Sequence, residues 1–211
     1  MLDRWTRFAP LVGVVFVVVL AVSFAITGNT PSSTDSGDKV IAYYRDHKSA
    51  QQASAFLGLY ALVFGVFFFG VMRAHLRSRG AAGLAAAAFG GGVLLAVGGA
   101  GFSGFSFALA DAPDKLTPAA AQALNILNND FFFPLAAGGA IFMIGNGLAI
   151  VRTAALPVWL GWVAVVIGVA NLTPVGFFAF LALLLWVLVT SILLFLRGGV
   201  GAQPAAVRQA V

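Results

Sequence analysis

Few side chains in this 211-residue sequence have the chemistry for hydrolysis or metal binding, and most of them fall in two polar stretches. They are Asp46, His47, Asp111, Asp114, Asp130, Asn125, Asn128 and Asn129. Cysteine is absent, so there is no thiolate nucleophile or thiolate metal ligand. The outer serines Ser32, Ser33 and Ser36 lie in a turn-rich linker without the Gly-x-Ser-x-Gly elbow of a hydrolase. We therefore predict no catalytic residues, no metal site and no cofactor.

The composition places these residues in an integral membrane protein. The chain is 61% hydrophobic and 9% charged, whereas about a quarter of the residues in a soluble domain are charged. Its net charge of +5 is explained by membrane topology, as argued below, and we predict no nucleic-acid partner.

Six apolar stretches are candidates to cross about 30 Å of hydrocarbon, which takes about 20 residues. We predict an all-α, single-domain bundle over residues 1–197 with spans at about 9–28, 53–71, 81–110, 131–151, 157–173 and 177–196. The third span is long enough to tilt or protrude, and the fifth is short. Residues 198–211 are predicted to form a disordered cytoplasmic tail.

Five spans is the main alternative. Arg4 and Arg7 precede the first apolar run, and Ala21-Val22-Ser23 resembles a signal-peptidase site. We favour retention of the segment, because the apolar run exceeds the 7–15 residues of a typical signal core.

Basic residues near the span ends set the predicted orientation. With the N-terminus inside, eight arginines are cytoplasmic and four basic residues are outside, while every aspartate except Asp3 is outside. This predicts a multi-pass protein of the plasma membrane with both termini in the cytoplasm.

Two short helices are predicted on the outer face. Val40, Ile41 and Tyr44 share one face of an amphipathic segment that Asp35 or Ser36 could cap. Thr117-Pro118 is a typical helix start, with threonine as N-cap and proline at the first position. We predict that the two helices pack together as a small extracytoplasmic cap.

The third span carries two stripes of small residues, which let helix backbones approach closely in a bilayer. This predicts a central helix with partners on two sides. The packing stripe is Ala88, Gly92, Ala96, Ala100 and Gly104, and its neighbour is Gly83, Ala87, Gly91, Gly99 and Ser103, interrupted by Leu95.

No charged residue lies clearly inside a span, which argues against an ion-coupled pump. The deepest polar side chain is Asn146, for which helix packing is favoured over a ligand contact. Trp186 is unusually deep for a residue that prefers interfaces, so we expect it to face inward and bond a polar group. The candidate ligand or pathway residues are Asn146, Asp130, Asn129, Asn171, Trp186 and His47.

Several segments together resemble a group of small, uncharacterised polytopic membrane proteins of actinobacteria. The resemblance rests on residues 40–47, on Arg73 to Arg77, on residues 124–132, and above all on Leu156-Pro157-Val158-Trp159-Leu160-Gly161-Trp162. It implies the six-helix plan and an actinobacterial source, and it supplies no activity.

Three functions remain open. The first is a non-enzymatic bundle that interacts with membrane lipids, a signal, a protein partner or a second copy of itself. The second is an uncoupled channel or permease with its path between the third, fourth and sixth spans, which a polar tunnel across the bilayer would favour. The third is an outer-face lipid enzyme, which a lateral cleft lined by Asp130, Asn129 and His47 would favour.

The orientation makes a direct prediction. Cysteine introduced at Ser32 or Lys115 is expected to react with a membrane-impermeant maleimide added to intact cells, because both positions lie in predicted outer segments. Cysteine at Arg77 is expected to react only after the inner face is opened. The reverse pattern would refute the topology.

Overall fold

A computed structural model describes residues 7–199, and over this range the chain is helical with no β-strand. A 3₁₀ turn at Ala9–Leu11 leads into the first helix. The helices are α1 Val12–Thr27, α2 Gly37–Asp46, α3 Lys48–Ser78, α4 Ala82–Asp111, α5 Pro118–Asp130, α6 Phe133–Thr153, α7 Val158–Ala170 and α8 Gly176–Leu196. Trp5, Arg4 and most of the predicted tail lie outside the described residues.

Within residues 7–199, five helical segments are long and apolar enough to cross a membrane, as expected for a helical membrane bundle. They are Ala9–Thr27, Lys48–Ser78, Ala82–Asp111, Pro118–Thr153 and Gly176–Leu196. The fourth of these segments combines the consecutive helices α5 and α6. The predicted fifth span differs, because its helix α7 has 13 residues and is about 20 Å long. Its predicted end at Thr173 lies in consecutive turns instead.

The charged residues separate the two ends of the bundle. The end formed by α2, α5 and the start of α3, here called the cap end, carries the aspartates from Asp35 to Asp130. The opposite end, here called the arginine end, carries Arg73, Arg77, Arg79, Arg152 and Arg197. Trp159 and Trp162 are both exposed on the first turns of α7 at the arginine end.

The cap helices form where the sequence predicted them. The Ser36 hydroxyl accepts from the Lys39 backbone N–H at 3.4 Å, and the Thr117 hydroxyl accepts from that of Ala120 at 3.3 Å. Val40 and Tyr44 of α2 are buried in one cluster with Ala121 of α5 and the end of α4. The two helices therefore pack together on a small core of their own.

The middle of α4 packs against α3 on one side and α6 on the other, as its small residues predicted. A Cβ on Gly92 would lie 2.5 Å from the Phe69 ring of α3, and one on Gly91 would lie 2.5 Å from the Phe142 nitrogen of α6. Gly98, outside both predicted stripes, also meets α6, 2.9 Å from the Leu135 nitrogen.

The predicted packing stripe on α4 does not extend as far as Gly104, its member nearest the cap end. Ala96 is buried and Ala100 partly buried. Gly104 is exposed, and a Cβ placed on it would have no heavy atom within 4 Å. Its side of α4 faces away from both neighbouring helices, so no close helix contact depends on Gly104.

A row of four buried aromatic side chains crosses the bundle. Phe16 of α1 lies 6.2 Å from Phe69 of α3, measured between ring centroids. Phe69 lies 4.6 Å from Phe142 of α6, which lies 6.2 Å from Trp186 of α8. The row therefore joins α1, α3, α6 and α8 near the middle of the bundle.

Two adjacent glycines of α4 provide a test of the packing. Gly91→Leu is expected to lower the melting temperature in detergent by about 5 °C, since the new side chain would overlap the backbone of α6. Gly90→Leu is the matched control, because a Cβ there meets nothing within 4 Å. Equal melting temperatures for the two variants would contradict the arrangement.

Candidate ligand cavity

The cap-end half of the bundle contains a cavity of about 490 Å³, within the size range of small-ligand pockets. Its walls come from α1, α3, α4, the junction of α5 and α6, the turn between α7 and α8, and the start of α8. Its polar lining residues, none of them charged, are Ser23, Thr27, Ser54, Ser103, Ser106, Asn129, Asn171 and Thr173.

The cavity is apolar at its deep end. Phe16, Leu62 and Leu95 line it there, and Phe16 belongs to the aromatic row that fills the middle of the bundle. Toward the cap end the lining includes Thr27, Ser106 and Asn129, among other polar residues. The cavity thus combines an apolar floor with hydrogen-bonding walls.

A hydroxyl network joins α1 and α3 in one wall. The Ser23 hydroxyl donates to the Ser54 carbonyl at 2.9 Å, and the Ser54 hydroxyl donates to the Ser23 carbonyl at 3.1 Å. Thr27 bonds the Ser54 hydroxyl as well. These reciprocal bonds satisfy the hydroxyls inside an apolar bundle and fix the separation of the two helices there.

Two other lining residues keep polar atoms unused. The Asn171 side-chain nitrogen donates to the Ile167 carbonyl at 2.9 Å, but its Oδ1 has no hydrogen-bond partner among the described residues. The Ser103 hydroxyl likewise has none in this part of the chain. Both residues line the cavity, so these atoms are available to a ligand.

The short length of α7 places Asn171 in the cavity wall. Gly168, near the end of α7, packs on Ala140 and Ile144 of α6, and Asn171 follows opposite Gly139. Helix α6 extends about 9 Å beyond Gly139 toward its first residue, Phe133. The turn between α7 and α8 therefore lies short of the cap end of α6. Its residues 172–175 are exposed, whereas Asn171 is buried, and Asn171, Thr173 and Pro174 form part of the cavity wall.

The contacts between α1 and α8 indicate a side opening. At the arginine end these helices pack tightly, since a Cβ on Gly13 would lie 2.2 Å from the Ser191 hydroxyl. Near the cavity the contact is an edge-on ring pair, Phe24 and Phe180, with centroids 6.4 Å apart. Both rings line the cavity, and Phe24 is exposed, so the cavity borders the outer face of the bundle at this ring pair.

The structure divides the predicted ligand residues into three groups. Asn129 and Asn171 both line the cavity. Asn146 and Trp186 are buried and do not line it. His47 stacks on the Tyr43 ring, with centroids 4.4 Å apart, and Asp130 is exposed; neither lines the cavity.

The buried polar groups of α6 and α8 bond mainly to the backbone. The Trp186 indole N–H faces inward, as predicted, and donates to the Leu160 carbonyl of α7 at 3.0 Å rather than to a polar side chain. The Asn146 amide donates to the Phe142 carbonyl of its own helix at 2.7 Å, and its buried Oδ1 has no partner in the described part of the chain.

Polar contacts fix the cap over the cavity. Gln51 donates to the Thr27 carbonyl at 2.8 Å and to the Tyr43 hydroxyl at 2.9 Å. Asn125 donates to the Ser32 carbonyl at 2.7 Å and so holds the linker that follows α1 against α5.

Burial raises the pKa of the Tyr44 phenol to about 12, with a smaller contribution from neighbouring Tyr43. The cap is therefore a packed element whose tyrosine stays neutral at physiological pH.

Most of the hydroxyl lining was not predicted from the sequence. Ser54 and Ser106 were not singled out, Ser23 was considered only as part of a cleavage site, and Ser103 was assigned to helix packing alone. The available signal was the recurrence of hydroxyl residues within otherwise apolar spans, such as Ser103 and Ser106 three positions apart on α4.

Comparison with protein-family models, with curated proteins and with solved structures gives no match for this chain. The resemblance to small actinobacterial membrane proteins therefore stays a prediction.

The hydroxyl network can be measured with a double-mutant cycle. Thr27→Val and Ser54→Ala are expected to show a coupling energy of about 0.6 kcal/mol in detergent unfolding, the average for hydrogen bonds between membrane helices, because these two hydroxyls bond each other across α1 and α3. Ser191 bonds the Val187 carbonyl of its own helix, so Thr27→Val and Ser191→Ala should be additive. Additivity in both pairs would contradict the hydroxyl contact between α1 and α3.

Proposed function

We propose that this protein is a non-enzymatic multi-pass membrane protein that binds the apolar part of a lipid or similar amphiphile in the cap-end cavity. The observation that carries the proposal is a largely apolar cavity in the cap-end half of the bundle, which borders the lipid-facing surface at the Phe24–Phe180 ring pair. A ligand could enter sideways from the bilayer without crossing water.

The proposal uses the six-span topology, with the N-terminus in the cytoplasm of a plasma membrane. It places the arginine end inside and the cap end outside, in agreement with the positive-inside rule. In this orientation α7 and its terminal turns cross together, and the cavity lies at the depth of the outer leaflet.

A channel is less well supported, because the lining does not continue through the bundle. The cavity borders α4, α6 and α8, as the predicted path did, but also α1 and α3. Phe69, Phe142 and Trp186 are buried at mid-height, and their row occupies the position that a continuous path would need. The lining includes no residue from the arginine end.

An outer-face lipid enzyme is also less well supported. Of the three residues proposed for that activity, Asn129 alone lines the cavity. His47 stacks on Tyr43, and its Nδ1 donates to the Tyr43 backbone carbonyl at 3.0 Å. No aspartate lines the cavity, so it brings together no acid–base pair for hydrolysis.

Photolabelling tests lipid binding. The purified full chain in nanodiscs would be exposed to a diacylglycerol with a diazirine in one acyl chain, and the labelled peptides mapped. We expect labels on cavity-lining segments of α1, α4 and α8. Ala136→Phe is expected to reduce this labelling by about tenfold, because the ring occupies a lining position.

Ala86→Phe is the matched control, since Ala86 is exposed on α4 and does not line the cavity. It should leave the labelling of cavity segments unchanged. Labels confined to the outer surface of the bundle, or an equal effect of both variants, would refute the proposed function.

A further inference from the structure

We infer that the cavity selects an uncharged lipid carrying a free hydroxyl group, such as a diacylglycerol or a long-chain alcohol, through Asn171. This inference rests on the proposed function and specifies the chemistry of its ligand. Its basis is an unused acceptor atom in the cavity wall together with the absence of charge from the lining.

Asn171 is held in one orientation. The residue is 3% exposed, and one N–H of its amide donates to the Ile167 carbonyl, while Oδ1 has no partner among the described residues. Gly139 of α6 keeps space beside that oxygen, since a Cβ there would lie 3.2 Å from it. A carbonyl oxygen that borders a largely apolar cavity without a donor is unfavourable, so a ligand that supplies an O–H is preferred over one that cannot.

Ser103 adds a second polar position on the α4 wall. Its hydroxyl has no partner among the described residues, and Gly58 of α3 provides the space beside it. A hydroxyl both donates and accepts, so Ser103 can serve an ester or ether oxygen of the same ligand. Asn171 Oδ1 can only accept, and it therefore imposes the requirement for a donor.

The lining also indicates the ligand's charge. None of the lining residues is acidic or basic. A phosphate head group placed in the cavity would lose hydration without gaining a cation, which is strongly unfavourable. Anionic phospholipids are therefore expected to bind more weakly than uncharged lipids of equal chain length.

The test compares two probes that differ in one donor, oleyl alcohol and its methyl ether. Binding to the full chain in detergent is measured by displacement of a pyrene-labelled fatty alcohol. We expect the wild-type protein to bind the alcohol about tenfold more tightly than the ether, because the ether leaves Asn171 Oδ1 unpaired. Asn171→Leu should reduce alcohol binding to the level of the ether and leave ether binding unchanged.

Asn146→Leu is the matched control. Asn146 is equally buried and bonds its own helix in the same way, but it does not line the cavity. It should keep the alcohol-to-ether ratio of the wild type. If Asn171→Leu does not fold, Gly139→Val provides a second variant, because its branched side chain would press on Asn171 Oδ1 and should reduce the same ratio.

The outcomes separate the two proposals. Equal binding of alcohol and ether, with both lost in Ala136→Phe, would overturn the hydroxyl requirement and leave lipid binding standing. Binding of either probe that is insensitive to Ala136→Phe, or no displacement at all, would overturn both. A ratio of about ten that falls only in Asn171→Leu or Gly139→Val supports the inference.

Discussion

Where α4 crosses α6, a Cβ on Gly138 would lie 2.3 Å from the Leu95 backbone nitrogen, so the two helices meet backbone to backbone. Hydrocarbon offers no hydrophobic drive to bring helices together, and close van der Waals packing has to supply the attraction. On its other side α4 holds Phe69 of α3 against Gly92. The positions of α3 and α6 thus follow from α4, and the aromatic row that joins them to α1 and α8 depends on the same spacing.

The cavity is a consequence of this arrangement together with one short helix. Helix α7 packs closely on α6 through Gly161 and Gly168, but it ends at Ala170, before it reaches the start of α6. The turn that follows packs against the first two turns of α6 less completely than a continued helix would. Interiors are normally packed to crystal-like density, so an apolar space of about 490 Å³ is a departure from close packing at this end of the bundle.

The features of this fold that could be predicted from the sequence are those that local rules decide. The caps at Ser36 and Thr117 and the central place of α4 follow from side-chain chemistry and the spacing of small residues. The cavity depends instead on which helix faces which, and hydropathy carries no such information. Gly104 was assigned to packing because it continues the spacing of Gly92, although the helix face had already turned away from a neighbour at that height.

Asn146 and Asn171 show why residue type alone does not identify a binding position. Each donates its amide N–H to the carbonyl four residues earlier, which is the local answer to a polar side chain in an apolar helix. Asn146 lies in the packed core, and its side-chain oxygen Oδ1 is buried there. At Asn171 the helix ends and the chain turns, so the same oxygen borders open space. The difference arises from the point at which α7 stops.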